Sequence, residues 1–277
     1  MVLKEKRFAL QAILKIATQY ELLASDSIAQ AISGIDTFKA WKLRDYLLGT
    51  STSQSSLARG LAGIDTSTAE NFRYRLIKEK APTGDILRGM AGVSSLSSIK
   101  FRWECIESKI GLDGIGKSLI GVTSQEAWKM RLYLIDNSID THGTLLSLSG
   151  IDLEVADVIR WNQLSIDSDL EGICLSTSGL FSDRYKNLRG NLIDKGCSLN
   201  YLAHCLIFDN SNYAWDLRDN LLAQNCDINW VALGLAGIFT KKSFNFRNRL
   251  LALNCKPENI LLSIYGDYLS AGLRLIL

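Results

Sequence analysis

Residues 40–48 read AWKLRDYLL, and residues 214–222 read AWDLRDNLL, 174 residues further on. That interval is six steps of 29, so a period of 29 is the hypothesis to test along the chain. Arginine stands in this register at eight positions: Arg44, Arg73, Arg102, Arg131, Arg160, Arg189, Arg218 and Arg247. Glycine keeps it at Gly34, Gly63, Gly92, Gly121, Gly150, Gly179, Gly237 and Gly266, with Phe208 the one exception. No insertion or deletion disturbs the eight units.

Each unit reads as two short helices. The first runs up to the glycine, as in ILRGMAG (86–92) and VALGLAG (231–237), with apolar residues six and two positions before it, such as Ile86 and Met90. Three before the glycine the residue is small: Ala31, Gly60, Gly89, Ser118, Ser147, Ser176, Cys205 or Gly234. A small column lets a neighbouring helix approach closely, and the glycine supplies the left-handed turn that ends the helix. The second helix follows a residue that can cap it, as in Asp36-Thr37, Asp65-Thr66 and Thr123-Ser124. Its apolar residues lie one before and three and four after the arginine, for example Met130, Leu134 and Ile135.

A helix pair of this size cannot bury its own apolar face, so neighbouring units must stack. The expected fold is all-α: a right-handed α-solenoid of about eight 29-residue helix-turn-helix repeats plus terminal caps. At a helix spacing of 8–10 Å, eight units would make a curved rod of roughly 80 Å. The boundaries expected are an N-terminal helical cap at 1–27, repeats over 28–259 and a C-terminal half-repeat at 260–277. Lys15 and Ile276 stand in the arginine column at the two ends.

A capping Asp followed by an amphipathic helix with Arg inside its apolar stretch resembles the HEAT-type repeat, over about residues 28–277. The units depart from that family in being shorter and in lacking the proline of the first helix. Their Asp-to-Arg spacing, eight residues from Asp36 to Arg44, is also longer.

The arginine column is bracketed by apolar positions and so points toward the core. Its five donors must be satisfied there, by carbonyls at the end of the first helix or by the cap Asp of a neighbour. These eight arginines are read as structural. The aromatic column three before them, Trp41, Trp128, Trp215 and Phe244, interrupted by Glu70 and Lys186, is read as packing at the seam between units. Cys197, Cys226 and Cys255 share a column too, about 10 Å apart and beyond disulfide reach, as small buried loop anchors.

One motif is a lookalike. GLDGIGKS, Gly111–Ser118, satisfies the P-loop pattern letter for letter. It follows the second helix of a repeat instead of a strand, and Lys117 and Ser118 fall in repeat columns, so the repeat explains the letters.

Composition narrows the rest. The 277 residues carry a formal charge of only +2, and the six cysteines include no C-x-x-C. The longest apolar run, Trp230–Phe239, is too short to span a bilayer. These features imply a cytoplasmic protein with no membrane segment, no metal and no small-molecule cofactor. No carboxylate pair or nucleophile–base set points to catalysis. The exposed columns of the second helices offer Lys42, Tyr46, Arg75, Lys100, Glu104, Lys129, Tyr133, Asn162, Asn191, Asn220 and Arg249. Lining a concave face, they are the candidate binding surface of a scaffold for a protein or peptide. The alternative is modular binding of single-stranded nucleic acid, RNA or DNA, supported by this column and a basic stripe of Arg59, Arg88 and Lys117.

Overall fold

The computed structural model describes residues 25–265, all helices and turns with no strand among them. Residues 1–24 and 266–277, with Lys15, Gly266, Ile276 and most of both caps, lie outside the described residues.

The order is an alternation of short and long helices. First helices of six or seven residues, such as Gln54–Arg59, Thr83–Arg88 and Leu170–Ser176, alternate with second helices of eleven to thirteen, such as Phe38–Leu48, Leu96–Ser108 and Gln125–Asp136. The caps are those expected: the side chains of Thr37, Thr66 and Ser124 accept from the backbone N–H of Ala40, Ala69 and Ala127. The glycine column does end the first helix with positive φ, from 71° at Gly34 to 78° at Gly237. Its N–H then leaves the unit altogether. Gly34 donates to Ala62 O, Gly63 to Ala91 O, Gly92 to Ile120 O and Gly150 to Ser178 O, at 2.6–2.7 Å. Phe208 keeps both duties without being glycine, with φ of 64° and a 2.8 Å bond to Ala236 O. Its ring fills the place where a Cβ on Gly237 would stand, which forbids a side chain there.

Two elements differ from the expectation. The segment of the P-loop lookalike forms no α-helix but two 3-10 turns, Leu112–Gly114 and Lys117–Leu119. Gly111 enters them left-handed, and glycine is the weakest helix former after proline. The polar stretch between units also hides a second left-handed column, seven residues after every arginine from Arg73 to Arg247: Lys80, Lys109, Ser138, Asp167, Gly196, Asn225 and Asn254. The residue after it closes the helix, donating to the carbonyl five residues back, as Cys226 N does to Leu221 O.

Packing between units is lopsided. The backbones of successive first helices approach closely, whereas successive second helices do not. The glycines make this possible: a Cβ on Gly60, Gly89 or Gly234 would collide with the carbonyl of Ala29, Ala58 or Ala203 in the preceding unit. The series also returns on itself. Pro257–Tyr265 packs against Ser25–Ala31, and Leu262 joins the cluster of Ala31, Ile32, Ile35 and Ala40. The open rod expected from eight units is thereby corrected, because crowding on one side and spreading on the other bends every step the same way.

Candidate binding face

The arginine column organises the interior, and its geometry repeats without exception. Every one of the eight guanidinium groups donates to the carbonyls twelve and nine residues before it and sixteen after it, at 2.6–3.5 Å. The first two acceptors end the first helix of its own unit, and the third ends the first helix of the next. Each cation thus lies at the negative ends of two successive helical segments, stapling unit to unit. The carboxylate that Arg189 meets, Asp209 at 3.1 Å with both side chains buried, is no helix cap: it stands in the column of Ile35 and Leu180, and Ser211 caps the helix that follows. Burial pulls the Arg131 guanidinium down to about 9, with the like charge of Arg102 adding to it, so the group remains cationic at neutral pH.

The small column has a duty beyond close approach. Where it is serine, at Ser118, Ser147, Ser176 and Ser263, its Oγ accepts from the arginine Nε at 2.8–3.1 Å. Where it is glycine, at Gly60, Gly89 and Gly234, the Nε of Arg44, Arg73 and Arg218 is buried without a partner. The chain trades an acceptor for a closer helix in those three units.

The aromatic column covers the same cations. Trp41, Trp128 and Trp215 stack over Arg44, Arg131 and Arg218 at 4.6–4.8 Å, and Phe244 over Arg247 at 5.5 Å. The indole N–H of Trp41 donates to Asp36 Oδ1 at 2.6 Å, and that of Trp215 to Asn210 Oδ1 at 3.1 Å. The cysteines are loop anchors: the thiols of Cys197, Cys226 and Cys255 reach the carbonyls of Leu170, Leu199 and Ile228 in the preceding first helices. Burial pushes Cys226 and Cys255 up to about 11, so both stay protonated.

All eleven candidate binding residues are exposed on second helices: Lys42, Tyr46, Arg75, Lys100, Glu104, Lys129, Tyr133, Asn162, Asn191, Asn220 and Arg249. They form a file along the units, and several are engaged with neighbours. Arg75 pairs with Asp45 at 2.9 Å, Arg249 with Asp219 at 2.7 Å, and Tyr133 meets the Trp103 ring edge-on at 5.7 Å. Each joins its own unit to the one before. Sequence reasoning treated this column as independent side chains; the partner one position earlier on the helix was the signal that it is laced. Interspersed are exposed apolar groups: Phe38, Tyr74, Leu132, Val158 and Trp161, between 42% and 73% accessible with Tyr46 and Tyr133.

The basic stripe of the first helices is neutralised. Arg59 and Arg88 share Asp85 at 2.7 and 2.6 Å, and Arg88 also holds Asp113. Burial opposes ionisation of Asp85, but hydrogen bonds from Ser55, Arg88 and Arg59 outweigh it and hold its carboxyl below the usual range. Burial lowers the Lys117 ammonium, and Arg88 contributes. Backbone groups of the P-loop lookalike are committed inward: Gly116 N–H donates to Asp140, while Gly114, Ser118 and Leu119 N–H close the 3-10 turns. No group of three or more His, Cys, Asp or Glu among the described residues is placed to hold a metal, and no helix there is long and apolar enough to cross a membrane. No protein-family model, curated protein or solved structure matches this chain.

Proposed function

We propose that the chain is a non-enzymatic binding scaffold, a HEAT-like α-solenoid of 29-residue units that engages a protein or peptide partner through its second helices. The right-handed sense and the count of eight repeats belong to this reading. The observation that carries it is the file of exposed aromatic, aliphatic, amide and charged side chains along successive second helices. Such a mixture, rich in Tyr and Trp, suits a protein interface. In this reading the second helices, whose backbones stay farther apart than those of the first helices, form the outer circumference of the series, and the binding surface is that outer wall instead of the concave side. Six free, buried thiols suit a cytoplasmic setting.

Nucleic acid receives less support. Phosphate binding draws on unpaired cations, and Arg59, Arg75, Arg88 and Arg249 all hold aspartates. The test is paired. Asn191→Ala should leave unfolding free energy within about 0.5 kcal/mol, and Tyr133→Ala should cost no more than the about 0.5–1.5 kcal/mol of its ring contact with Trp103, while both weaken recovery of a cellular partner in affinity purification. Recovery that survives both changes, or that vanishes on nuclease treatment, overturns the proposal.

A further inference from the structure

One unit lacks the cover that its relatives carry. In the Arg73 unit the position of Trp41, Trp128 and Trp215 is taken by Glu70. Three other units lack an aromatic there, but each supplies its cation otherwise. Arg102 Nη1 donates to Ser98 Oγ, Arg160 has Asp157 and the Tyr185 ring, and Arg189 has Asp209. The bonds of Arg73 to its three carbonyls all leave from Nη2, and its Nε is buried without a partner.

Beside Arg73 a cavity of about 200 Å³ opens between two successive second helices. Its walls include Tyr74, Ile77, Met90, Val93 and Phe101, and its polar groups include Arg73, Glu70 and Asp65. A buried apolar cavity of about 150 Å³ holds benzene, so this space is of the size for a bicyclic ring.

We propose that this cavity binds an indole ring, which stacks on the Arg73 guanidinium and donates its N–H to Asp65. The chain itself contains the template. Asp65 stands one period after Asp36, whose Oδ1 accepts the Trp41 indole N–H, and five periods before Asn210, an amide in the same column whose Oδ1 accepts the Trp215 indole N–H. Asp65 binds the N–H groups of Ser94 and Ser95 through Oδ2, which fixes its carboxylate and leaves Oδ1 as the counterpart of the oxygen used by Asp36. Acceptor, cation and apolar walls are therefore built, while the ring that completes them elsewhere is replaced by an acid. A flat ring over a guanidinium gains cation–π attraction, and indole gains most. The two carboxylates favour a ring carried on a neutral or cationic segment over an anionic one.

The ring has two sources, a tryptophan of a protein partner or a free indole compound. The former rests on the scaffold reading above; the site itself does not. Isothermal titration with N-acetyltryptophanamide, with a ten-residue peptide carrying one central tryptophan, and with N-acetylleucinamide separates the cases. Saturable binding of the amide and peptide, with leucinamide silent, is the expected result. A peptide at least about tenfold tighter than the amide assigns the ring to a protein partner, and equal affinities assign it to a small molecule. Glu70→Trp restores the missing cover from within: it should raise the melting temperature and abolish titration. Asp65→Asn should retain binding, as Asn210 does for Trp215, whereas Asp65→Ala should weaken it about tenfold. No saturable binding, equal binding of leucinamide, or undiminished binding by a folded Glu70→Trp protein overturns the proposal. Tyr133→Ala, remote from this cavity, keeps the outcome separate from that of the wider face.

Discussion

Arg131 gives the sharpest test of the interior. Its side chain is fully buried and donates to Leu119 O at 2.6 Å, Val122 O at 2.8 Å, Ser147 O at 3.2 Å and Ser147 Oγ at 2.8 Å. Methionine at this position keeps much of the volume and removes the cost of burying a charge, which argues for a mild effect. Against that stand the acceptors left behind. Leu119 O retains a bond from Val122 N–H, and Ser147 Oγ still donates to Thr144 O, but the Val122 and Ser147 carbonyls lose their guanidinium donor. Each buried unsatisfied group costs about 1–3 kcal/mol, and the Trp128 ring loses its cation as well. The sum is a loss of roughly 3–5 kcal/mol, similar to breaking a buried pair. Lysine should recover little, because one ammonium cannot serve both the Nε and the Nη2 directions. Urea unfolding followed by far-ultraviolet circular dichroism measures the loss. An Arg131→Met protein within about 0.5 kcal/mol of the parent would refute the claim that carbonyl satisfaction, more than volume, holds this column.

Three further outcomes follow from the same geometry. Ser147→Ala removes the Nε acceptor of Arg131 together with the hydroxyl's bond to Thr144 O and should cost about 1–3 kcal/mol; Gly89→Ala drives a Cβ into the Ala58 carbonyl and should cost more, with thermal melts ranking the two. Lys109, left-handed with φ of 57°, should be stabilised by about 1 kcal/mol on change to glycine, read as a shift in the urea midpoint. Asp85, held below the usual carboxylate range by its partners despite burial, contributes stability that is complete above the unfolded value near 4 and is lost as pH falls through the lower folded value. Asp85→Asn should therefore flatten the acid limb of stability below about pH 4, and an unchanged limb there counts against the Arg59–Asp85–Arg88 cluster.

Much of this interior was legible because each repeated duty demands one residue type. Only a guanidinium reaches three carbonyls across a seam, and glycine is favoured where a turn is left-handed, so Arg44 and Gly34 recur visibly. The caps at Thr37, Thr66 and Ser124 were readable for the same reason. The second left-handed column was not, since Lys80, Lys109 and Ser138 tolerate strain that their identities do not announce, and only Gly196, Asn225 and Asn254 look like turn residues. The covers over the arginines were read as seam packing, because stacking depends on which way a ring lies. The laced face was missed because Arg75 and Asp45 are adjacent only after two units are stacked. Closure left no mark at all: it arises from a small bend repeated, with no single residue responsible.

That return of Pro257–Tyr265 onto Ser25–Ala31 makes the number of units a whole number the molecule has to respect. In an open stack a duplicated or deleted unit changes length and little else, and the outermost units loosen first. A circuit has no outermost unit among its members. Removing 29 residues would leave a gap that the remaining bends could close only by each turning further, and adding 29 would leave one unit with nowhere to sit. Such a molecule counts its own repeats.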